Sequence, residues 1–392
     1  MSTVETRFLE PLDVLFLRGN KLFGDPGSFG ESLVPPWPSV AAGALRSRML
    51  ADDRVDLAAF AHCGVDHPTL GTPKRPGAFA VTAFHLARRR NDDSVEVLIQ
   101  PPADLVVVED ADGNATAHSL NPTPPAGEGL LSSAPFALLP VLAERERSKP
   151  ASGYWLTESG WRKHLADESP ETADLVKTSE LWSLDHRVGV GLDATTRRAA
   201  DGRLFSVQAV AMKAGVGFLA AVTGVIPPKD GTVRLGGDGR AAAIRPVTIS
   251  LPSADYEAIA QARKCRLILA TPGLFGSPRP QAGEGEKAGW LPTGTTQEAD
   301  GTYRFDLHGV TGRVVCAAIP RAEVVSGWDL ARWQPKPAQR AAPAGSVYWL
   351  DDLDATAEAL RKLADAGLWG EACEDAQRRA EGFNRIWLAA WK

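Results

Sequence analysis

Cysteine is scarce in this chain of 392 residues: Cys63, Cys265, Cys316 and Cys373 are all there are, and no two form a C-x-x-C pair. That spacing excludes a zinc ribbon, a dithiol redox site and a disulfide-held scaffold, and the four are expected to be reduced core residues. Long apolar runs are missing as well. No stretch of about 18 apolar residues occurs, and residues 1–6 are polar, so no membrane partner is expected and the cytoplasm is the expected compartment. The seven histidines are scattered; the closest pair, His62 and His67, misses the i, i+4 spacing of a metalloprotease helix, so no metal site is expected. Neither a G-x-x-x-x-G-K-[ST] phosphate loop nor a G-x-S-x-G elbow is present, which sets aside the common nucleotide and serine hydrolases. No catalytic residue and no cofactor are expected. An excess of basic charge is also lacking: 43 Lys and Arg stand against 48 Asp and Glu, a net charge of −5. A protein that coats nucleic acid through bulk charge is thereby excluded, and any polyanion partner has to be met by a local patch.

What the chain does have is length and an ordinary apolar content. At roughly 150 residues per domain, two to three domains are expected, and 44% hydrophobic residues suffice to fold most of the chain. Glycine (37) and proline (29) are in surplus, together about 17% against roughly 12% in average usage. Residues 8–18 read as a strand, 19–38 as a long loop, and 40–52 as a helix with Ser39 as its N-cap. Residues 79–88 and 95–99 read as strands paired around Asn91-Asp92-Asp93, and 105–108 as another. Residues 110–129 read as an exposed Pro/Gly-rich insertion, and 155–178 mix helical and loop signals. Residues 204–225 read as a hairpin, 252–263 as a helix capped by Pro252-Ser253, and 266–270 as a buried strand. That order, strand–helix–hairpin–helix–strand, is the pattern of a ferredoxin-like domain. After a second Gly/Pro-rich segment, 273–301, come strands at 303–307, 314–319 and 347–350. A helix from the Asp354 cap to Gly367, a second over 370–381 and a last strand over 383–391 close the chain. The fold class expected is α+β, with a ferredoxin-like domain over 1–271, carrying insertions at about 110–180, and a degenerate one over 272–392.

The charge is unevenly spread. Residues 187–247 hold nine Lys and Arg, four Asp and no Glu, a net of +5, leaving −10 for the remainder. A basic, glycine-punctuated stretch suits phosphate contacts, which need cations and a backbone that can approach closely; the plainer alternative is a solvated face. Within it, Gly236-Gly237-Asp238-Gly239-Arg240 has the composition of a backbone nest that cradles a phosphate beside an arginine, or of a plain turn. A palm-type two-metal hairpin would need a carboxylate where Gly239 stands. On the first helix, Arg46 and Arg48 point far apart, and Arg46 is the better placed for a ligand, Arg48 for a structural or partner contact.

Several blocks resemble a known family. Residues 11–18 (PLDVLFLR), 35–46 (PPWPSVAAGALR), 187–193 (RVGVGLD), 202–205 (GRLF), 215–218 (GVGF) and 235–240 (LGGDGR) carry the likeness, with 271–275 (TPGLF), 327–329 (GWD) and 343–348 (PAGSVY). Their ordered set is similar to the RAMP subunit of the type III-B CRISPR (Cmr) effector that sits at the 5′ end of the guide RNA. One departure is Gly382-Phe383-Asn384, where the family tends to Gly-Phe-Gly; Asn tolerates a left-handed backbone, so the turn is expected to survive. The resemblance implies a ferredoxin-like, RRM-related fold without nuclease activity. It implies binding of the repeat-derived 5′ tag of the crRNA, docking to the large polymerase-like subunit and to the first backbone RAMP subunit, indirect contact with target RNA, and a role in antiviral defence. A single-stranded tag would be held by phosphate contacts and splayed bases. Arg18, Lys21, Ser39 with its helix N-terminus, Arg46, Arg187, Arg197, Arg198, Arg203, Gly236, Gly237, Gly239 and Arg240 are the expected RNA-binding residues. Trp37 is a further candidate for stacking, or packs on its own domain.

Two rival functions remain. RAMP relatives of this fold cut CRISPR repeat RNA by general acid–base attack of a 2′-hydroxyl, and His186, beside the arginines, is the residue placed for it. A protein–protein adaptor is the third reading, with Trp369, Trp387 and Trp391 as its aromatic surface.

Overall fold

The computed structural model describes residues 3–19, 29–110, 112–125, 134–143, 149–276, 289–373 and 375–392. The chain is α+β and divides into two compact units whose segments alternate: unit 1 holds 1–96, 178–249 and 325–337, and unit 2 holds 97–177, 250–324 and 338–392. Where the sequence suggests one boundary after residue 271, the chain passes between the units five times.

Unit 1 is built on β1 (Glu5–Pro11), α1 (Pro38–Asp52), β2 (Ala80–Arg89), β3 (Val95–Leu98), β4 (Trp182–Leu192), β5 (Ala199–Met212), β6 (Val216–Thr223), β7 (Thr232–Arg234) and β8 (Ala241–Pro246). Its main sheet runs β7–β8–β1–β6–β2–β3. β1 is antiparallel to both β6 and β8, and β6 to β2, so β1 and β2 run parallel with β6 between them and α1 as their crossover. The expected strand over 8–18 stops at Pro11; Leu15 and Arg18 beyond it make isolated bridges to Val210 and Ser32. The expected serine cap of α1 is not formed: Pro38 opens the helix and its N-cap, Trp37, makes no side-chain cap. A proline with fixed φ and no N–H to satisfy suits the first helical position, which leaves Ser39 one residue inside.

The hairpin expected over 204–225 is also corrected. β5 pairs with β4, whereas β6 pairs with β1 and β2. β6 is apolar on both faces, which fits it for the middle of the sheet, while β4 alternates in exposure and, with β5, remains a ribbon. Residues 252–270, expected to complete the first domain, lie in unit 2 instead, and β8 takes the place beside β1.

Unit 2 contains α2 (Tyr256–Ala262), β9 (Cys265–Leu269), β10 (Thr295–Gln297), β11 (Tyr303–Leu307), β12 (Val310–Ala318), β13 (Val347–Asp354), α3 (Ala357–Ala366), α4 (Ala376–Glu381) and β14 (Ile386–Ala389). The sheet order is β10–β11–β12–β13–β9–β14. Leu267, Leu269 and Leu350 share one core with Ile259 of α2 and with Leu360 and Leu363 of α3. On the other face, Ile268 and Trp349 join Trp161 and Leu165 of the helix Glu158–Leu165. Asp255, not Ser253, caps α2, and Thr356, not Asp354, caps α3; each sits immediately before its helix, where its side-chain oxygen reaches an N–H of the first turn. The expected insertion at 110–129 is in part a strand: Ala115–Ser119 pairs with Leu105–Glu109 and buries Ala115 and Ala117. Arg266 is buried, donating to Asp104 at 2.7 Å and to the carbonyl of His164 at 2.6 Å. Burial would raise the Asp104 carboxyl, but His164 and Arg266 outweigh it and hold it down at about 2.

All four cysteines are free; Cys265 and Cys316 are buried, and burial pushes both thiols up to about 12, whereas Cys63 and Cys373 are half-buried rather than core. Among the described residues, no helix is long and apolar enough to cross a membrane.

Candidate nucleic-acid interface

Phe16 ties two pieces of unit 1 together. On one side lies the glycine-rich loop 235–240. Gly236 has φ +77°, and a Cβ there would stand 2.7 Å from the Phe16 carbonyl, so only glycine fits. Gly237 N–H donates to that same carbonyl at 2.8 Å, and Leu235 N–H to Arg240 O at 2.8 Å. One N–H of the expected nest is thus spent on Phe16, while those of Gly236, Asp238 and Gly239 have no partner among the described residues. The Arg240 guanidinium lies 5.1 Å over the Phe16 ring and pairs with Asp13. Arg18 reaches Asp238 at 3.3 Å in a half-exposed pair. Five expected site residues, Arg18, Gly236, Gly237, Gly239 and Arg240, therefore converge.

On the other side of Phe16 stands the β4–β5 ribbon. Val207 and Ala209 pack on Phe16, and the Leu15–Val210 bridge holds the base. The sequence R-V-G-V-G explains its form: Val188 and Val190 point out on one face with Leu204, which is opposite Val190. On the other face, the Phe205 ring covers Gly189, and Arg203 lies against Gly191, where added Cβ atoms would meet them at 2.4 and 3.0 Å. Arg187 pairs with Asp185 at 2.8 Å. The tip is closed by Asp193, which accepts from the N–H groups of Thr195 and Thr196 at 3.0 and 2.7 Å. The backbone and hydroxyl of Thr196 hold its carboxyl below the usual range. Arg197 takes a left-handed φ of +55° to turn the chain. Arg197, Arg198 and Arg203 are exposed and make no ion pair with any described residue.

The nine cations of 187–247 are thus not equal. Arg187, Arg240 and Arg245 are neutralised by Asp185, Asp13 and Glu10, whereas Arg197, Arg198 and Arg203 at the ribbon tip and Lys213, Lys229 and Arg234 elsewhere make no ion pair with any described residue. The other expected residues lie elsewhere in unit 1. Ser39 is half-buried in the first turn of α1, and Arg46 lies 4.8 Å over the Phe79 ring. Lys21 falls outside the described residues. Arg48 has the structural place expected of it, between Asp52 at 2.7 Å and the carbonyl of Thr232 at 2.6 Å. His186 is exposed on the ribbon opposite Gln208.

In unit 2, Asn384 keeps the left-handed turn at φ +61°, but it is fully buried. Its side chain accepts from Leu274 N–H at 2.6 Å and donates to Leu368 O at 3.3 Å, so it braces the fold. Trp369 is likewise buried with its indole N–H on Phe383 O, Trp387 packs edge-on to Trp161, and Lys264 covers Trp391. Of the expected adaptor surface, Trp369 is in the core, and Trp387 and Trp391 are half-buried against it. The exposed tryptophans are instead Trp328, of the Gly-Trp-Asp block, and Trp333, both in unit 1 and neither among the expected site residues.

Comparison with known proteins bears on the whole chain. No curated protein matches it. Among solved structures, a chain of the type III-B Cmr-beta complex bound to cognate target RNA and AMPPnP is 13% identical, covering 88% of this chain and 86% of that one, with a TM-score of 0.45. A chain of the same type of complex bound to cognate target RNA has equal identity and coverage and a TM-score of 0.41. The family described as CRISPR-associated protein (Cas_Cmr3) matches residues 7–391. The ordered blocks that suggest a Cmr subunit thus fall inside one continuous match, and the chain belongs to the Cmr3 family of the type III-B CRISPR effector.

Proposed function

We propose that this chain is a non-catalytic RNA-binding subunit that holds the repeat-derived 5′ tag of the crRNA and bridges the large polymerase-like subunit to the backbone RAMP subunits. The observation that carries this reading is the junction at Phe16, where a glycine loop flanked by Arg18 and Arg240 meets the base of a ribbon tipped by three exposed arginines that make no ion pair with any described residue. Glycine-rich backbone with unspent N–H groups seats phosphates, and unpaired cations on a projecting ribbon reach along a flexible strand. Both units fit the ferredoxin-like reading. In unit 1, β8–β1–β6–β2 has the strand order 4-1-3-2 of a βαββαβ unit without its second helix, and in unit 2, β14–β9–β13–β12 has the same order.

The test is binding of tag RNA by the full chain across a salt series. Arg197→Ala combined with Arg198→Ala is expected to weaken binding and lower the slope of log affinity against log salt by about 1–2, at roughly 0.7 per phosphate contact on single strands. An unchanged slope would remove the ribbon tip from the site.

A further inference from the structure

Residues 325–337 hold a small ribbon in which Trp328 pairs with Pro335 and Asp329 with Gln334. The turn between them is fastened by Asp329, whose carboxylate accepts from Arg332 N–H at 3.1 Å. Lys336 N–H to Gly327 O at 2.8 Å and the Ser326 hydroxyl to Lys336 O at 3.1 Å extend it. These few bonds support two large aromatic side chains that bury little: Trp328 is 51% and Trp333 64% exposed, their rings edge-to-face at 5.8 Å. Trp333 also has a left-handed φ of +53°, which is costly for a bulky residue and is not offset by burial. An exposed aromatic pair on strained backbone is explained by a contact outside the chain.

The surroundings select the kind of contact. The segment carries two cations, Arg332 and Lys336, against one acid, Asp329. Arg332 is exposed, and its guanidinium comes no nearer than 3.8 Å to the Asp329 carboxylate, which is already engaged by backbone. A π-face beside a weakly held guanidinium matches an unpaired base followed by its phosphate. We propose that Trp328 and Trp333 form a stacking platform for an unpaired RNA base, with Arg332 on the adjoining phosphate. The inference rests on the RNA-binding reading above and adds a site to it.

The experiment uses the full chain and single-stranded RNA of about eight nucleotides, within the range one such groove spans, with 2-aminopurine placed at each position in turn. Binding is expected to quench the probe at one or two positions. Trp328→Ala with Trp333→Ala is expected to abolish that quenching and to weaken binding on the order of tenfold, the loss of one stacked base. The salt slope should stay unchanged, because stacking releases no counterions. Trp328→Phe with Trp333→Phe should restore most of the affinity, and Arg332→Ala should lower the slope by about 0.7. Parental quenching and affinity in the double alanine variant, with the Arg197/Arg198 pair still governing the slope, would overturn the platform alone. Failure of the parent chain to bind RNA would overturn both readings.

Discussion

At the scale of residues, the site depends on one aromatic ring with two clients. The Phe16 ring supports the Arg240 guanidinium and the ribbon base, and its carbonyl receives Gly237, so the loop and the ribbon are positioned by the same backbone. The glycines of the loop could be read from composition, because left-handed turns favour them. That Gly236 meets Phe16, 220 positions earlier in the chain, could not, since no local pattern encodes a contact across a sheet. Asn384 shows the reverse case: tolerance of a left-handed turn was legible in its chemistry, whereas its bonds to Leu274 and Leu368 depend on the fold. His85 of β2 gives a residue-scale prediction. Burial lowers its imidazole from 6.5 to about 4, so the unfolded chain takes up the proton first as pH falls. The associated stability is whole above about pH 6.5, declines between 6.5 and 4, and amounts to at most about 3 kcal/mol. His85→Gln is expected to flatten that limb in urea midpoints measured from pH 7 to 4.5; an unaltered limb would assign the acid sensitivity to other groups.

At the scale of elements, periodicity identified most strands but not their partners. Alternation in 204–212 and the apolar run after it are both strand signals, and proximity in sequence suggested a hairpin. Pairing is decided instead by which strand is apolar on both faces, and β6 takes the interior of the sheet while β5 turns back on β4. The βαβ crossover through α1 was legible from Pro38 and the alanine-rich stripe; its cap was not, because proline displaced serine from the capping position. In the proposed function the ribbon tip is the element on which binding turns, and it buries little. Replacing residues 191–203 by Asn-Gly closes the hairpin at the Val190–Leu204 pair with a favoured two-residue turn. The shortened chain is expected to melt within a few degrees of the parent, since the segment removed is almost wholly exposed. It is expected to lose on the order of tenfold in RNA affinity with Arg197, Arg198 and Arg203. Retained affinity by filter binding would place the RNA elsewhere on unit 1.

At the scale of the whole molecule, a chain of net charge −5 still carries a local cluster of arginines, because Arg187, Arg240 and Arg245 are paired internally while Arg197, Arg198 and Arg203, close together at one ribbon tip, make no ion pair with any described residue. The basic stretch was legible in composition; which of its arginines are paired was not, because Asp13 and Glu10 lie more than 200 positions from Arg240 and Arg245. The α+β class was legible. The alternation of segments between units was not, because composition marks loops without saying which sheet each side of a loop joins. Whether this chain holds the repeat-derived 5′ end of the guide RNA is decided by purifying the native complex through this subunit and sequencing the RNA that remains with it. One shared repeat-derived 5′ sequence is expected on the bound RNAs, lost or scattered in the Arg197→Ala/Arg198→Ala variant. Bound RNAs with unrelated 5′ ends would contradict the proposed function.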